Sequence, residues 1–189
     1  MTAETLLENP AVRARVARFT VAQYHQLGEY SATGRRTELI RGYVFEKMSK
    51  SPQHSSTGSH IYDLLSPRFP SGWWVRKEEP LTFADSEPEP DVSVVPGRRQ
   101  DYQQSHPRTA ALVVEVAVTT LAEDRALVDL YAEAGIEEYW IIIPGERSVE
   151  VYRRPMGTAY QETFRVSGDA ILACAAFPEV KIALAELFD

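Results

Sequence analysis

The chain has 189 residues, 44% of them hydrophobic and 25% charged, which suits one soluble globular domain with a substantial core. A net charge of −7 argues against a generic nucleic-acid-coating protein, which would neutralise many phosphates with Lys and Arg. The single cysteine, Cys174, rules out an intramolecular disulfide and a cysteine-cluster zinc site. No stretch approaches the roughly 20 apolar residues that cross a bilayer, and Met1 to Arg18 has no apolar segment of the signal-peptide kind. A cytoplasmic protein with no membrane partner is expected.

Residues 1–19 read as a partly helical arm, and 20–189 as one domain. Thr20 is a plausible N-cap for a helix reaching about Gly28. Thr37 to Met48 splits at Arg41-Gly42 into two strand-like pieces, a hairpin signal, with Glu38 in the first piece and Glu46 in the second. Ser51-Pro52 opens a helix that runs past His54 to Leu65, before Pro67. Trp73 to Phe83 is one strand, or two pieces broken at Pro80. Asp91 stands at the entry of a short apolar strand, Val92 to Val95, and residues 97–109 form a polar loop or short helix.

Ala110 to Val118 (AALVVEVAV) is a continuous apolar run interrupted by one carboxylate, Glu115. A run of this kind reads as a strand covered on both faces, where an unpaired charge would cost several kcal/mol. Thr119 or Thr120 then caps a helix from about Leu121 to Ala134, closed by Gly135. Glu138 to Ile143 is a buried strand, Pro144 to Arg147 a turn and Ser148 to Arg153 a returning strand. Tyr160 to Val166 and Ala170 to Leu172 extend the sheet edge. This order of hairpins, helices and strands indicates an α/β fold with a mixed sheet flanked by helices.

Asp91 and Glu115 fall on consecutive strands joined by a polar loop, so the strands can lie side by side. Hard cations such as Mg²⁺ use one or two carboxylates together with water and substrate phosphate, and such a cation would give Glu115 the partner it needs. The competing reading of Glu115 is a buried salt bridge to Arg125 or Lys77. That of Asp91 is a strand-entry residue accepting backbone N–H bonds.

The stretches Glu38 to His54, Ser86 to Val95, Leu112 to Val116 and Leu130 to Pro144 followed by VEVYRRP resemble, in order, the Uma-type putative restriction endonuclease family of the PD-(D/E)XK nuclease superfamily. The resemblance implies a restriction-endonuclease-like mixed β-sheet flanked by helices, with extra N-terminal and C-terminal β-hairpins. It also implies Asp91 and Glu115 as metal ligands and Glu38 as a further acidic site residue, together a Mg²⁺- or Mn²⁺-dependent endonuclease acting on nucleic acid, DNA being the expected substrate. The superfamily lysine, two residues after the glutamate, is here Ala117, and the helix position where relatives carry a lysine is Leu127. Lys47 or a residue from a second subunit of a homodimer is expected to fill the gap. The alternative is a member without turnover that binds nucleic acid or protein.

The remaining features have plainer readings. His54, near a helix start, is a packing or capping residue, and His25, His60 and His106 share no metal-ligand spacing. Trp73, Trp74, Tyr139 and Trp140 are core and edge aromatics. The pairs Arg35/Arg36 and Arg98/Arg99 are solvated loop charges, and Cys174 is inert.

Overall fold

The computed structural model describes residues 8–27 and 36–188. The start of the expected arm, Gly28 at the expected end of the first helix, and Arg35 lie outside the described residues. Backbone contacts divide the chain into two compact units, one holding residues 1–47 with 84–87 and the other holding 48–83 with 88–189.

The smaller unit carries α1 (Pro10–Arg13), α2 (Val21–Leu27) and the hairpin β1 (Thr37–Ile40) and β2 (Tyr43–Glu46). Asn9 caps α1 through Ala11 N. Thr20 caps α2 reciprocally, its hydroxyl accepting from Gln23 N while its own N–H donates to the Gln23 side chain. The hairpin turns at Arg41 and Gly42, both with positive φ (54° and 79°), as a two-residue hairpin turn requires. Leu39 is fully buried and exchanges backbone hydrogen bonds with Glu87.

The larger unit is built on a six-stranded sheet in the order β3-β4-β5-β6-β7-β8. Its strands are β3 (Trp73–Lys77), β4 (Val92–Pro96), β5 (Leu112–Val116), β6 (Glu138–Ile143), β7 (Ser148–Met156) and β8 (Ala159–Ser167). Only β5 and β6 pair in parallel, and every residue of both is buried. That explains their unbroken apolar runs, because a parallel pair formed through a helical crossover is covered on both faces.

On one face, α3 (Pro52–Leu65) and the C-terminal hairpin β9 (Ile171–Cys174) and β10 (Phe177–Ala183) close a core through Ile61, Leu65, Leu172, Val180 and Ile182. On the other, the crossover helices α4 (Leu121–Ala126) and α5 (Val128–Glu133) pack Tyr131 against Val95, Val113, Tyr139 and Ile141. Among the described residues no helix is long and apolar enough to cross a membrane.

Three elements depart from expectation. The segment expected to extend the sheet edge from Ala170 to Leu172 instead forms β9, which pairs with β10 in a two-stranded sheet of its own, while β8 is the edge of the large sheet. The helix after β5 is broken at Leu127, whose N–H bonds the Asp124 carbonyl three residues back (3.2 Å), a tightened turn. The same carbonyl accepts the Tyr139 hydroxyl at 2.9 Å, so the sheet engages the backbone at the break. Strand β3 stops at Lys77, before Pro80 is reached, because Glu78 adopts a left-handed backbone (φ 52°).

Candidate active site

Strand direction brings the site together. The antiparallel ladder of β4 and β5 ends at Val92 opposite Val114, leaving the N–H groups of Asp91 and Val116 at its open end. Carboxylates take them: Asp91 N donates to Glu115 Oε2 (3.1 Å), and Val116 N donates to Asp91 Oδ2 (2.9 Å). Asp91 is 5% exposed and Glu115 8%, so both acidic residues lie in a largely water-excluded place. The strand-entry role expected of Asp91 as an acceptor of backbone N–H is present, and it is the contact that links the two residues.

Period-2 alternation puts Glu115 on the sheet face of Val113 and Ala117. There the Tyr131 hydroxyl donates to Glu115 Oε1 (3.1 Å), and Tyr131 is held by the Tyr139 ring at 4.8 Å. Burial, followed by the nearby Glu115 charge, raises the Tyr139 hydroxyl well above its ordinary range, so it stays a neutral donor to the Asp124 carbonyl. Neither cation considered for a salt bridge to Glu115 is directed there. Arg125 pairs with Glu150, and Lys77 donates to Ser59 at 2.8 Å.

The nitrogen groups that face Asp91 come from the segment before α3 and from its first turn. Lys50 Nζ lies 2.7 Å from Asp91 Oδ1 and 3.3 Å from Glu78, while His54 Nε2 lies 3.1 Å from Asp91 Oδ2. Burial opposes the Asp91 charge, but the His54 hydrogen bond and the Lys50 ammonium outweigh it and hold the carboxyl down at about 2. The left-handed turn at Glu78 costs about 1–2 kcal/mol; it sits beside Asp91, whose carbonyl accepts Glu78 N at 3.1 Å.

A lysine, Lys50, thus reaches Asp91 from 41 residues upstream. It comes neither from the strand position at Ala117, which packs in the core, nor from Lys47, which pairs with Glu38 at 3.7 Å. Glu38 itself belongs to the hairpin unit, opposite Phe45. His54, read from sequence as a packing or capping residue, contacts Asp91 directly. The signal for both residues was the run SKSPQH: an N-cap and a proline fix where α3 begins, so whatever a strand end meets there is supplied by Lys50 and His54.

Asp124, on α4, is a further buried acid and was not singled out from sequence. It accepts the Thr120 hydroxyl at 2.8 Å. Burial raises its carboxyl to about 6 against that hydrogen bond, and the charge of Asp91 adds to the rise.

The donor set suits one class of cation. Among the described residues no three His, Cys, Asp or Glu side chains converge as a metal cage, which disfavours a structural zinc site. Two buried carboxylates on neighbouring strands, with few other ligating side chains, are the kind of donor set used by hard divalent cations that keep most of their waters.

A mixed sheet covered by helices on both faces, with two acids meeting at the ends of neighbouring strands, is an α/β fold of the restriction-endonuclease-like class. Residues 21–185 match the model of Uma2, described as putative restriction endonuclease, and the chain belongs to that family. The fold is similar to the crystal structure of a protein from Anabaena variabilis described as a putative nuclease belonging to DUF820. The TM-score is 0.75 at 20% sequence identity, covering 90% of this chain and 97% of that one. No curated protein matches.

Proposed function

We propose that the protein is a divalent-cation-dependent nuclease that hydrolyses phosphodiester bonds of nucleic acid, DNA being the expected substrate. Asp91 and Glu115 hold Mg²⁺ or Mn²⁺ in this reading, and Glu38 is an assisting acid on the strength of the family motif it opens. The observation that carries the reading is the hydrogen bond from Asp91 N to Glu115 Oε2, which ties the buried Glu115 carboxylate to the backbone of a second buried acid whose own carboxylate accepts from Lys50.

When bound, the cation would supply Lewis acidity toward a phosphoryl oxygen and the attacking water. The protein's own groups do the positioning. Tyr131 fixes the Glu115 rotamer, and Val116 N and His54 fix Asp91. Lys50, an ammonium with three donors, faces the place where charge develops on the phosphate and stabilises it there. In the net reaction the water oxygen bonds to phosphorus and the phosphorus–oxygen bond to the leaving sugar breaks. One water proton is released and the leaving oxygen takes up another.

Plasmid and single-stranded DNA incubated with and without Mg²⁺ or Mn²⁺ provide the test. Cleavage is expected only with the cation, lost in Glu115→Gln and lowered by about 10²-fold in Lys50→Met. Cation-independent cleavage, or cleavage indifferent to Glu115→Gln, contradicts the proposal. A second reading, a binding protein without turnover, is favoured by the pairing of Asp91 with Lys50, as in a structural ion pair. It predicts nucleic-acid or protein binding with no cleavage under any of these conditions.

A further inference from the structure

On the edge strand β3, away from the acidic pair, a cleft of about 560 Å³ is bordered by Trp74, Glu79, Arg99, Gln100, Tyr102 and Gln103. The Trp74 and Tyr102 rings lie nearly parallel, 23° apart with centroids at 6.1 Å. They are held from beneath by Arg76, a cation only 2% exposed. Its guanidinium carbon sits 5.2 Å from the indole centroid and 5.9 Å from the phenol centroid. Its nitrogens are taken by Glu79 (3.0 and 2.6 Å) and by the Pro80 carbonyl (2.8 Å), and the Tyr102 hydroxyl is tied to the Pro96 carbonyl at 2.6 Å.

Arg76 and Glu79 therefore neutralise each other, and both rings are fixed in place before any ligand arrives. Arg99, Gln100 and Gln103 are exposed, and no hydrogen bond or ion pair engages their side chains among the described residues. Two preorganised aromatic rings, a solvent-facing guanidinium and two amides form the set that recognises nucleotides. Bases stack on aromatic rings whatever their sequence, arginine meets phosphate, and glutamine amides reach base edges.

The cleft also stands at a suitable distance from the acids. Trp74 pairs with Val95, and the β4/β5 register carries Val95 to about Ala111. Trp74 and Glu115 are therefore two strands and four residues apart on one sheet face, about 16 Å at ordinary strand spacings. That span is on the order of five nucleotides at duplex rise, and fewer in an extended strand.

We infer that this cleft captures bases of single-stranded nucleic acid, a few nucleotides along from the phosphate held at Asp91 and Glu115. The choice of ligand rests on the nuclease reading, while the binding itself requires no catalysis. The test is fluorescence anisotropy of the full chain with a labelled single-stranded oligothymidine and with a duplex, in EDTA so that nothing is cleaved. Tryptophan emission is recorded alongside, and circular dichroism checks that each variant is folded.

Single-stranded binding is expected to quench tryptophan emission, with the quench lost in Trp74→Phe although that variant still binds. Trp74→Ala and Tyr102→Ala are each expected to weaken single-strand binding by about 10-fold, and Arg99→Gln by less, with duplex binding little changed. Failure to bind single strands, or folded Trp74→Ala and Tyr102→Ala variants that bind like the wild type, overturns the inference. Single-strand binding that depends on Trp74 without any cleavage would retain the cleft and remove the nuclease reading. Cleavage with no dependence of binding on Trp74 would do the reverse.

Discussion

Asp124→Asn should stabilise the protein, and by an amount that grows with pH. Asp124 is largely buried, and burial together with the Asp91 charge raises its carboxyl from 3.8 to about 6. A raised carboxyl favours the folded state relative to ionised Asp only while it stays protonated. That contribution is complete below the unfolded value and is lost as pH rises through about 6. A rise from 3.8 to about 6 is worth about 3 kcal/mol, and by linkage about 1 kcal/mol of this has been lost near pH 4.5 and nearly all of it near pH 7.5.

Asparagine has no charge to bury, and its amide oxygen can still accept the Thr120 hydroxyl, which donates to Asp124 at 2.8 Å. Urea unfolding of both proteins at about pH 4.5 and about pH 7.5 cancels the other titrating groups in the difference. The variant's advantage should widen by about 2 kcal/mol between the two conditions. A difference that does not change with pH, or one that narrows as pH rises, would refute the placement of a buried, repelled carboxyl beside the site.

Two further expectations concern the framework. Glu138 is fully buried and accepts Trp140 Nε1 (2.7 Å), Arg153 Nε (2.7 Å) and Ala175 N (2.6 Å). Glu138→Ala should cost about 3–5 kcal/mol in urea unfolding by leaving Arg153 uncompensated, and a loss under about 1 kcal/mol would contradict that role. In the hairpin unit Gly42 has φ 79°, and a Cβ there would lie 2.6 Å from the Arg18 Cβ. Gly42→Ala should therefore loosen β1 and β2 by about 1–2 kcal/mol, read as roughly 5- to 30-fold faster amide exchange at Leu39. Unchanged exchange would show that the turn does not need glycine.

The order of elements was legible because each carries a local signal. Ser51-Pro52 starts α3, Arg41-Gly42 turns the hairpin, and the burial of β5 and β6 is written in their unbroken apolar runs. That β4 and β5, joined by one polar loop, lie side by side and so bring the Asp91 backbone to Glu115 was also legible. Where the lysine comes from was not. Lys50 meets Asp91 across 41 residues, a contact set by how α3 docks on the sheet, and no periodicity records that. The break at Leu127 was hidden for a similar reason: the apolar spacing fits one helix, while the Asp124 carbonyl is drawn to Tyr139 on a strand. At β3 the proline was the visible breaker, but a left-handed glutamate two residues earlier ended the strand.

The central claim is that Asp91 and Glu115 jointly hold a divalent cation, and calorimetric titration of the protein with Mg²⁺ and Mn²⁺ tests it most directly. A saturable binding isotherm is expected for the wild type, lost in both Asp91→Asn and Glu115→Gln while circular dichroism shows each variant folded. No binding by the wild type, or binding that survives either substitution, would contradict the claim.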